Sequence, residues 1–308
     1  MAAVLLDFIL GDPRWLPHPA RGIGRLAAWV EPRARRLIPQ AKMAGGLAWL
    51  LVVSFACILT WGILKGSTWL HPILGDIVGI WIIYTTLAAR DLVRHSSAVY
   101  DALSSGDLQE ARRKAAMIVG RDTDRLDEPE ITRATVETVA ESTLDGVTAP
   151  LFFAFLFGPV GAMAYRVINT LDSMWGHKDE QYIMFGWAAA RTDDVANWVP
   201  ARLTGLCMAI AAWFLRLSGG NAWRVLLRDA RRHPSPNSGF PEAAMAGALR
   251  VRIGGTNYYN GEPEERPHIG DPFRVLEARH IALANRLMFA TTLMFALSGF
   301  AVRQLLKG

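Results

Sequence analysis

Apolar and polar stretches alternate along the chain, and several apolar stretches have the length of a membrane-spanning helix. Residues 46–64 carry no charge over 19 positions, close to the roughly 20 residues that cross a hydrocarbon core. The other apolar segments cover residues 69–89, 147–165, 199–217 and 281–302. This pattern predicts an all-α fold, that of a polytopic helical integral membrane protein.

Two of these segments differ from an ordinary span. The sequence "GPVG" interrupts residues 147–165, and only 13 uncharged residues separate Arg202 from Arg216. We expect both segments either to cross or to turn back as re-entrant or broken helices, which membranes tolerate where protein buries the irregular backbone. The first ten residues are apolar but too short to span. They have neither a basic leader nor a small-residue cleavage site, so they predict no secretory signal.

Basic residues then orient the apolar segments. Six lie in residues 21–42, eight in 90–147 and nine in 219–283, and the positive-inside rule places these stretches in the cytoplasm. Lys178 and Arg191 are the only lysine or arginine residues of the loop 169–200, between the third and fourth segments. Charge alone would therefore put that loop outside, but its acidic residues would serve a cytoplasmic site, which is the side we favour.

We expect a single integral membrane domain over residues 1–308. Its large, helical, cytoplasmic loops would cover residues 90–146, 169–198 and 219–280. These loops also explain the formal net charge of +5, and aromatic residues lie mainly in the apolar segments, so nothing indicates nucleic-acid binding. Only two cysteines are present, both in apolar segments, which excludes a disulfide framework and a thiolate metal site.

The stretch "ETVAESTLDG" places Glu137, Glu141 and Asp145 four residues apart. Asp127 or Glu128 can cap a helix here, and Gly146 would end it, so the three carboxylates would share a face. Each such like-charged pair costs roughly 0.2–0.5 kcal/mol on an isolated helix. Arg133 and bulk solvent could compensate the row, or it could bind Mg²⁺ or a cationic substrate.

Two further acidic groups follow. Asp193, Asp194 and Asn197 form a D-D-x-x-N pattern, and Asn169 and Asp172 lie one turn apart at the end of the third apolar segment. Oxygen ligands at such spacing suit Mg²⁺, which prefers a few carboxylates together with water and phosphate oxygens. Either group could equally be a helix cap.

The last large loop contains "DARRHPSPNSGFPEAAMAGALRVRIGGTNYYNG", in which Pro, Ser, Asn and Gly are too dense for regular structure except for a packed helix that begins at "PEAAMAGAL". Such a loop can point backbone N–H groups at an anion. His233 is either a proton carrier or a turn residue before Pro234, and Arg231 and Arg232 either bind phosphate or set topology. No Walker, dinucleotide-binding, nucleophile-elbow or H-E-x-x-H motif is present, so nucleotide chemistry would need an uncommon site.

Five motifs occur in a specific order: "LDFILGDPRWLPHP", "GRDTDRLDEPEITRATVETVAESTLDGVTAPLFF", "YRVINTLDSM", "FGWAAARTDDVANWVPARL" and the last-loop motif quoted above. Together they resemble the CbiB/CobD family of cobalamin biosynthesis, the adenosylcobinamide-phosphate synthases, over nearly the whole chain. The chain starts inside the family's first apolar segment, so we expect a shortened N-terminal helix. The resemblance implies a ligase of the bacterial cytoplasmic (inner) membrane that uses ATP and Mg²⁺ to join adenosylcobyric acid to aminopropanol or its phosphate.

The implied reaction, an acyl phosphate displaced by an amine, gives the clusters roles. The candidate catalytic residues are Glu141, Asp145 and His233. The candidate Mg²⁺ ligands are Glu137, Glu141, Asp172, Asp193, Asp194 and Asn197. The candidate substrate- and phosphate-binding residues are Arg121, Asp122, Arg231, Arg232, Ser235, Asn237, Asn257 and Tyr258. Corrinoid, amine and membrane lipid are the expected partners, together with other enzymes of the pathway.

Two other classes of protein fit parts of the pattern. A transporter would use His71, Asp76 and the interrupted third segment as its pathway, but most polar clusters lie in loops rather than in apolar segments. A magnesium-dependent membrane transferase would need paired acidic motifs facing lipid, and D-D-x-x-N matches that only in part.

Overall fold

The computed structural model describes residues 1–12, 19–177 and 179–305. Residues 13–18 of the first family motif and Lys178 therefore lie outside the described residues. The helices are α1 (Ala2–Leu10), α2 (Pro19–Leu37), α3 (Ala41–Leu70), α4 (Pro72–Tyr84), α5 (Ala89–Ser104), α6 (Leu108–Ala115), α7 (Glu128–Thr143), α8 (Ala149–Trp175), α9 (Trp187–Ala196), α10 (Trp198–Phe214), α11 (Gly219–Asp229), α12 (Gly239–Leu249) and α13 (Arg279–Leu305). The strands are β1 (Arg252–Tyr259) and β2 (Glu262–Gly270).

Four helical stretches of the described chain are long and apolar enough to cross a membrane: Ala41–Leu70, Pro72–Ser104, Glu128–Trp175 and Arg279–Leu305. The pair α9 and α10, bent by 44°, would form a fifth as a broken span. The predicted helical membrane-type fold is therefore confirmed, and each predicted apolar segment lies largely on one of these helices.

The interrupted third segment contains a real break. Gly158 in "GPVG" has φ 67° and ψ −157°, outside the helical region, and Pro159 follows it. The prediction that Gly146 ends the preceding helix is wrong. A π-helical turn at Leu144–Thr148 leads from α7 directly into α8, and Leu144 and Val147 are fully buried there. Burial of these apolar side chains outweighs the helix-stopping tendency of a single glycine.

The chain forms two compact units. Unit 1 comprises residues 1–88, 145–197 and those from Gly299 onward, and unit 2 comprises residues 89–144 and 198–298. The core of unit 1 is a cluster of small, aliphatic and aromatic side chains, most of them from α2, α3 and α8. Trp175 is fully buried in it, packs edge-on against Phe185 and donates its indole N–H to Glu31 at 2.9 Å.

Unit 2 is organised around α12, which is buried along its whole length and packs on α10 and α11. This confirms the packed helix predicted at "PEAAMAGAL". Composition predicted that the region after α12 is irregular. That prediction is wrong, because β1 and β2 pair there as an antiparallel hairpin. Asn260 and Gly261 join the strands with φ values of 53° and 83°, the conformation of a two-residue type I′ turn. Asn-Gly is the strongest short-range hairpin signal, so this pair could have revealed the sheet.

The two polar residues that a transporter pathway would have used lie at the start of α4. His71 is the N-cap of α4, where its Nδ1 accepts a hydrogen bond from the Ile73 N–H at 3.2 Å. Asp76 is exposed on the same helix.

Candidate functional site

A polar cavity of unit 2 lies between α7, the loop before it, α12 and the hairpin. It encloses about 510 Å³ when its open mouth is counted. Its lining consists of Val119, Gly120, Arg121, Glu137, Thr138, Glu141, His233, Glu242, Gly254, Asn257, Tyr259, Arg266, Pro267 and Ile269. The cavity thus brings together five of the predicted site residues: Arg121, Glu137, Glu141, His233 and Asn257.

Glu137 is the centre of a buried hydrogen-bond network in this cavity. Its Oε2 forms an ion pair with Arg121, whose side chain is only 5% exposed and also donates to the Asn257 side chain. Its Oε1 accepts from the Gly254 N–H at 2.8 Å and lies 3.9 Å from Arg133 Nη1. Both carboxylate oxygens are therefore engaged by cationic or N–H donors, so Glu137 ties α7 to Arg121 and to β1.

Arg133 also holds the hairpin in place. Its guanidinium donates to the backbone carbonyl of Gly254 and, at 3.0 Å, to that of Thr256. The predicted pairing of Arg133 with Glu137 exists, but these carbonyls are its closer partners. One turn of α7 thus fixes β1 through both members of the pair.

Glu141 is exposed at the cavity, and unlike Glu137 it accepts a hydrogen bond from an uncharged side chain. The Ser238 hydroxyl donates to Glu141 Oε1 at 3.1 Å. Ser235 orders the loop behind it, since its Oγ accepts from the N–H groups of Asn237 and Ser238 at 3.2 Å. Ser235 and Asn237 therefore position this wall without lining the cavity. The carboxylate of Glu141 remains available to a cation.

His233 is held as a neutral imidazole. Burial, followed by the charge of Arg266, lowers its pKa to about 4. Its Nδ1 accepts from the Ser235 N–H at 3.0 Å, so the proton resides on Nε2. That Nε2 lies 3.6 Å from Oε1 of Glu242. In this tautomer neither ring nitrogen offers a free lone pair, so His233 is better suited to orient Glu242 than to accept a proton itself.

Glu242 was not predicted from the sequence. It is 6% exposed, and burial, then the negative charges of Glu137 and Glu141, raise its pKa well above the ordinary value. Its signal in the sequence was weak but visible: it is the only charged residue of the Ala-, Gly- and Met-rich helix α12. A single acidic residue on a buried helix contacts either a compensating polar or charged group or a ligand-binding site.

Arg266 and Tyr259 complete the cavity and were also missed. Arg266 Nη2 donates to the Tyr259 hydroxyl at 2.9 Å, and its Nε lies 3.2 Å from Glu264. Burial lowers the pKa of Arg266, but Tyr259 and Glu264 outweigh it and the net pKa is raised. The guanidinium therefore stays charged and gives the cavity a second cation beside Arg121. These residues lie on a hairpin that composition did not predict.

Besides Ser235 and Asn237, four predicted binding residues lie outside the cavity lining. Asp122 holds the hairpin turn, accepting from the Asn260 and Gly261 N–H groups at 3.2 and 2.7 Å. Tyr258 is 45% exposed. Arg232 forms an ion pair with buried Asp229 at 3.3 Å, and its neighbour Arg231 is exposed.

Three other predicted residues, Asp145, Asp193 and Asn197, meet in unit 1. The Tyr165 hydroxyl donates to Asn197 Oδ1 at 2.8 Å and lies 3.4 Å from Asp145 Oδ1. The Asn197 amide in turn donates to Asp193 Oδ2 at 3.0 Å. We call Asp145, Tyr165, Asp193 and Asn197 the acidic set. Asp194 points to Arg191 at 3.8 Å.

The donor chemistry of the acidic set fits Mg²⁺. Among the described residues no three His, Cys, Asp or Glu side chains converge as a metal cage. Mg²⁺ does not require one, because it keeps several waters and takes one or two carboxylates together with phosphate oxygens. Asp193 Oδ1 is buried and has no hydrogen-bond partner among the described groups. A buried carboxylate oxygen in that state is one that a cation would satisfy.

Comparison with known proteins identifies relatives over most of the chain. The model of the CobD/Cbib protein family matches residues 1–288. Cobalamin biosynthesis protein CobD of Geobacter metallireducens is 52% identical over 297 residues, covering 96% of this chain and 93% of the relative. Cobalamin biosynthesis protein CbiB of Salmonella typhimurium is 48% identical over 299 residues, covering 96% and 94%. No solved structure is significantly similar to this chain.

Proposed function

The chain belongs to the CobD/CbiB protein family of cobalamin biosynthesis, and on that premise we propose that it is an ATP-dependent amide ligase. Its substrates would be adenosylcobyric acid and aminopropanol or aminopropanol phosphate. A carboxylate is a poor acyl donor, so its oxygen would first attack the γ-phosphorus of ATP and release ADP. The amine nitrogen would then attack the acyl carbon of this acyl phosphate and expel inorganic phosphate.

The observation that supports this reaction is the division of charge within the unit 2 cavity. Arg121 and Arg266 are guanidinium groups that suit a phosphoryl group. Glu141 and Glu242 lie on the same lining and suit an ammonium group. A cavity of about 510 Å³ is small compared with a whole corrinoid, so we assign it to the reacting ends of the substrates.

The ammonium must lose one proton before its nitrogen attacks, and we assign the acceptance of that proton to Glu242, with Glu141 holding the ammonium. The proton lost after the attack leaves on the expelled phosphate. A carboxylate whose pKa is raised by burial is a stronger base than an ordinary carboxylate. Neutral His233, with its Nε2 proton 3.6 Å from Glu242, would orient that carboxyl. The assignment transfers to Glu242 the role that sequence analysis gave to His233.

We assign Mg²⁺ to the acidic set of unit 1, where Asp193 with Asn197 and Asp145 would hold it. When bound, the ion would supply positive charge to phosphate oxygens. Tyr165, which is fully buried, fixes Asn197 by its hydrogen bond and so keeps these oxygens in place. Glu137, by contrast, is committed to Arg121.

The direct test incubates the purified protein in detergent with adenosylcobyric acid, ATP, Mg²⁺ and each amine. Amide product is followed by mass spectrometry and ADP by a coupled assay. We expect one amine to give product with equimolar ADP, and Arg266→Gln to raise the KM for ATP. Arg113→Gln, an exposed arginine paired with Glu110, serves as the matched control. If neither amine gives amide or corrinoid-dependent ADP, the proposal is refuted.

The same proposal places the protein in the bacterial cytoplasmic membrane with loop 169–198 on the cytoplasmic side, where ATP is available. Glu180 is exposed in that loop. A cysteine at Glu180 in intact cells should resist a membrane-impermeant thiol reagent and react after permeabilisation. Ready labelling of intact cells would place the loop outside.

A further inference from the structure

A second cavity of unit 2 is built around three arginines. It encloses about 550 Å³, counting its open mouth, and lies where α10 and α12 end. Its arginines are Arg216, Arg250 and Arg274, and its apolar wall includes Leu249 and Leu283. None of these residues lines the cavity at α7. The ligase proposal therefore gives it no role.

The three guanidinium groups lack acidic partners. In the described part of the chain none of them has a carboxylate oxygen within 4.0 Å, whereas other arginines of this unit form such ion pairs. The nearby carboxylate of Asp271 is taken by Arg224 at 3.4 Å and by Arg228 at 3.0 Å. Three like charges at one cavity repel one another, and a bound anion would relieve that repulsion.

Two of these arginines have a backbone conformation that is unfavourable for any residue other than glycine. Arg216 and Arg250 have φ values of 56° and 61°, the left-handed region in which glycine is favoured at the end of a helix. The Arg274 N–H donates to the Arg250 carbonyl at 3.0 Å, so the third arginine is tied to the second. Attraction to helix carbonyls would explain a cation at the end of each helix, but not the addition of Arg274 from the separate segment between β2 and α13.

The cavity also lies beside apolar helices. Arg216 follows two residues after α10, which is part of the candidate broken span, and Leu283 lies on α13, which is long and apolar enough to cross a membrane. Guanidinium groups next to leucines at the end of such helices match a phosphate that is attached to an apolar chain. A free phosphate group would meet the same arginines.

We propose that Arg216, Arg250 and Arg274 form a binding site for a phosphate group. The phosphate belongs either to an anionic phospholipid headgroup or to a free phosphate. Hydrogen bonds between a guanidinium and a phosphate are charge-assisted, so they are stronger than hydrogen bonds between neutral groups.

The test measures binding to the full-length protein, purified in detergent and stripped of lipid. The probes are dihexanoylphosphatidylglycerol, zwitterionic dihexanoylphosphatidylcholine and inorganic phosphate, each titrated while the thermal unfolding midpoint and native mass spectra are recorded. Arg216→Gly and Arg250→Gly are combined in one variant, because glycine accepts both φ values without strain. Arg274→Gln is a second, independent variant. Arg224→Gln, which removes an equal charge from an arginine already paired with Asp271, is the control.

We expect the parent to bind phosphatidylglycerol saturably, and both variants to bind it at least about tenfold more weakly. The control should bind like the parent, and phosphatidylcholine should bind weakly to all proteins. If inorganic phosphate binds as well as phosphatidylglycerol, the site takes free phosphate. The proposal is overturned if the parent binds neither anion, if both variants keep the parent's affinity, or if Arg224→Gln weakens binding as much as they do. Should the double variant fail to fold, Arg274→Gln decides the outcome.

Discussion

Replacing Glu137 by glutamine tests whether this residue anchors the cavity or serves a ligand. The parent carboxylate faces the Arg121 guanidinium, which is 5% exposed, and accepts the Gly254 N–H at 2.8 Å. Glutamine keeps the shape and one carbonyl oxygen, so the hydrogen bond to Gly254 can survive. The charge that balances Arg121 is lost, and Arg121 remains buried with only the neutral Asn257 as its partner.

The size of the effect follows from this burial. Removing one partner of a buried ion pair costs about 3–5 kcal/mol, because the other charge is left uncompensated. Glu137 is 14% exposed and the Gly254 hydrogen bond remains, so we expect the lower end, about 3 kcal/mol off the free energy of unfolding. An exposed pair would lose only about 0.2–1 kcal/mol.

The assay is unfolding of the purified protein in mixed micelles with increasing denaturing detergent, followed by the intrinsic fluorescence of its tryptophans. Glu110→Gln is the matched control, because Glu110 also pairs with two basic residues, Arg113 at 2.5 Å and Lys114 at 3.2 Å, but on the surface. If Glu137→Gln is no more destabilising than Glu110→Gln, the anchoring role is refuted. An altered Mg²⁺ requirement without loss of stability would instead support the ligand role.

Three further results are expected. Gly45→Ala should cost roughly 1–3 kcal/mol in the same assay, because a Cβ there would lie 1.8 Å from the Phe185 carbonyl oxygen, whereas Gly46→Ala, which meets open space, should cost little. Lowering the pH from 7 to 4 should remove up to about 3 kcal/mol that neutral His233 contributes to the free energy of unfolding, since the unfolded chain protonates His233 near pH 6.5 and the folded one only near 4; the difference between the parent and His233→Asn should show this part of the slope. Glu242→Gln should lower kcat by roughly 100-fold or more if it accepts the amine proton, and an unchanged kcat in the ligase assay would exclude that role.

Local features of the fold could be predicted because they depend on neighbours in the sequence. The charge-free stretch 46–64 lies wholly within α3, and the break in the third segment falls at Gly158 of "GPVG". The predicted cap of α7 is also present, as Asp127 and Glu130 form a capping box. Chain length, hydropathy and Gly-Pro punctuation determine these features without any long-range contact.

The cavity could be predicted only in part, because its geometry depends on distant contacts. Arg121 and Asn257 meet across 136 residues, and Ser238 reaches Glu141 across 97. Composition indicated which residue types could bind phosphate or a cation, but not which of them the fold brings together. Asp122 shows the difference, since it was assigned to substrate and instead caps the Asn-Gly turn of the hairpin.

The row of carboxylates on α7 illustrates why spacing alone leaves function open. Like-charged neighbours at this spacing repel by only about 0.2–0.5 kcal/mol, whereas a hydrogen bond to a charged group contributes about 1.5–3 kcal/mol. Whatever each carboxylate contacts therefore decides its state: Glu137 is neutralised by Arg121, Glu141 accepts from Ser238, and Asp145 lies on the π-helical turn near Tyr165. Three residues in one row thus have three different surroundings. Glu141 keeps the most open carboxylate, so it is the member of the row that we expect to bind the amine.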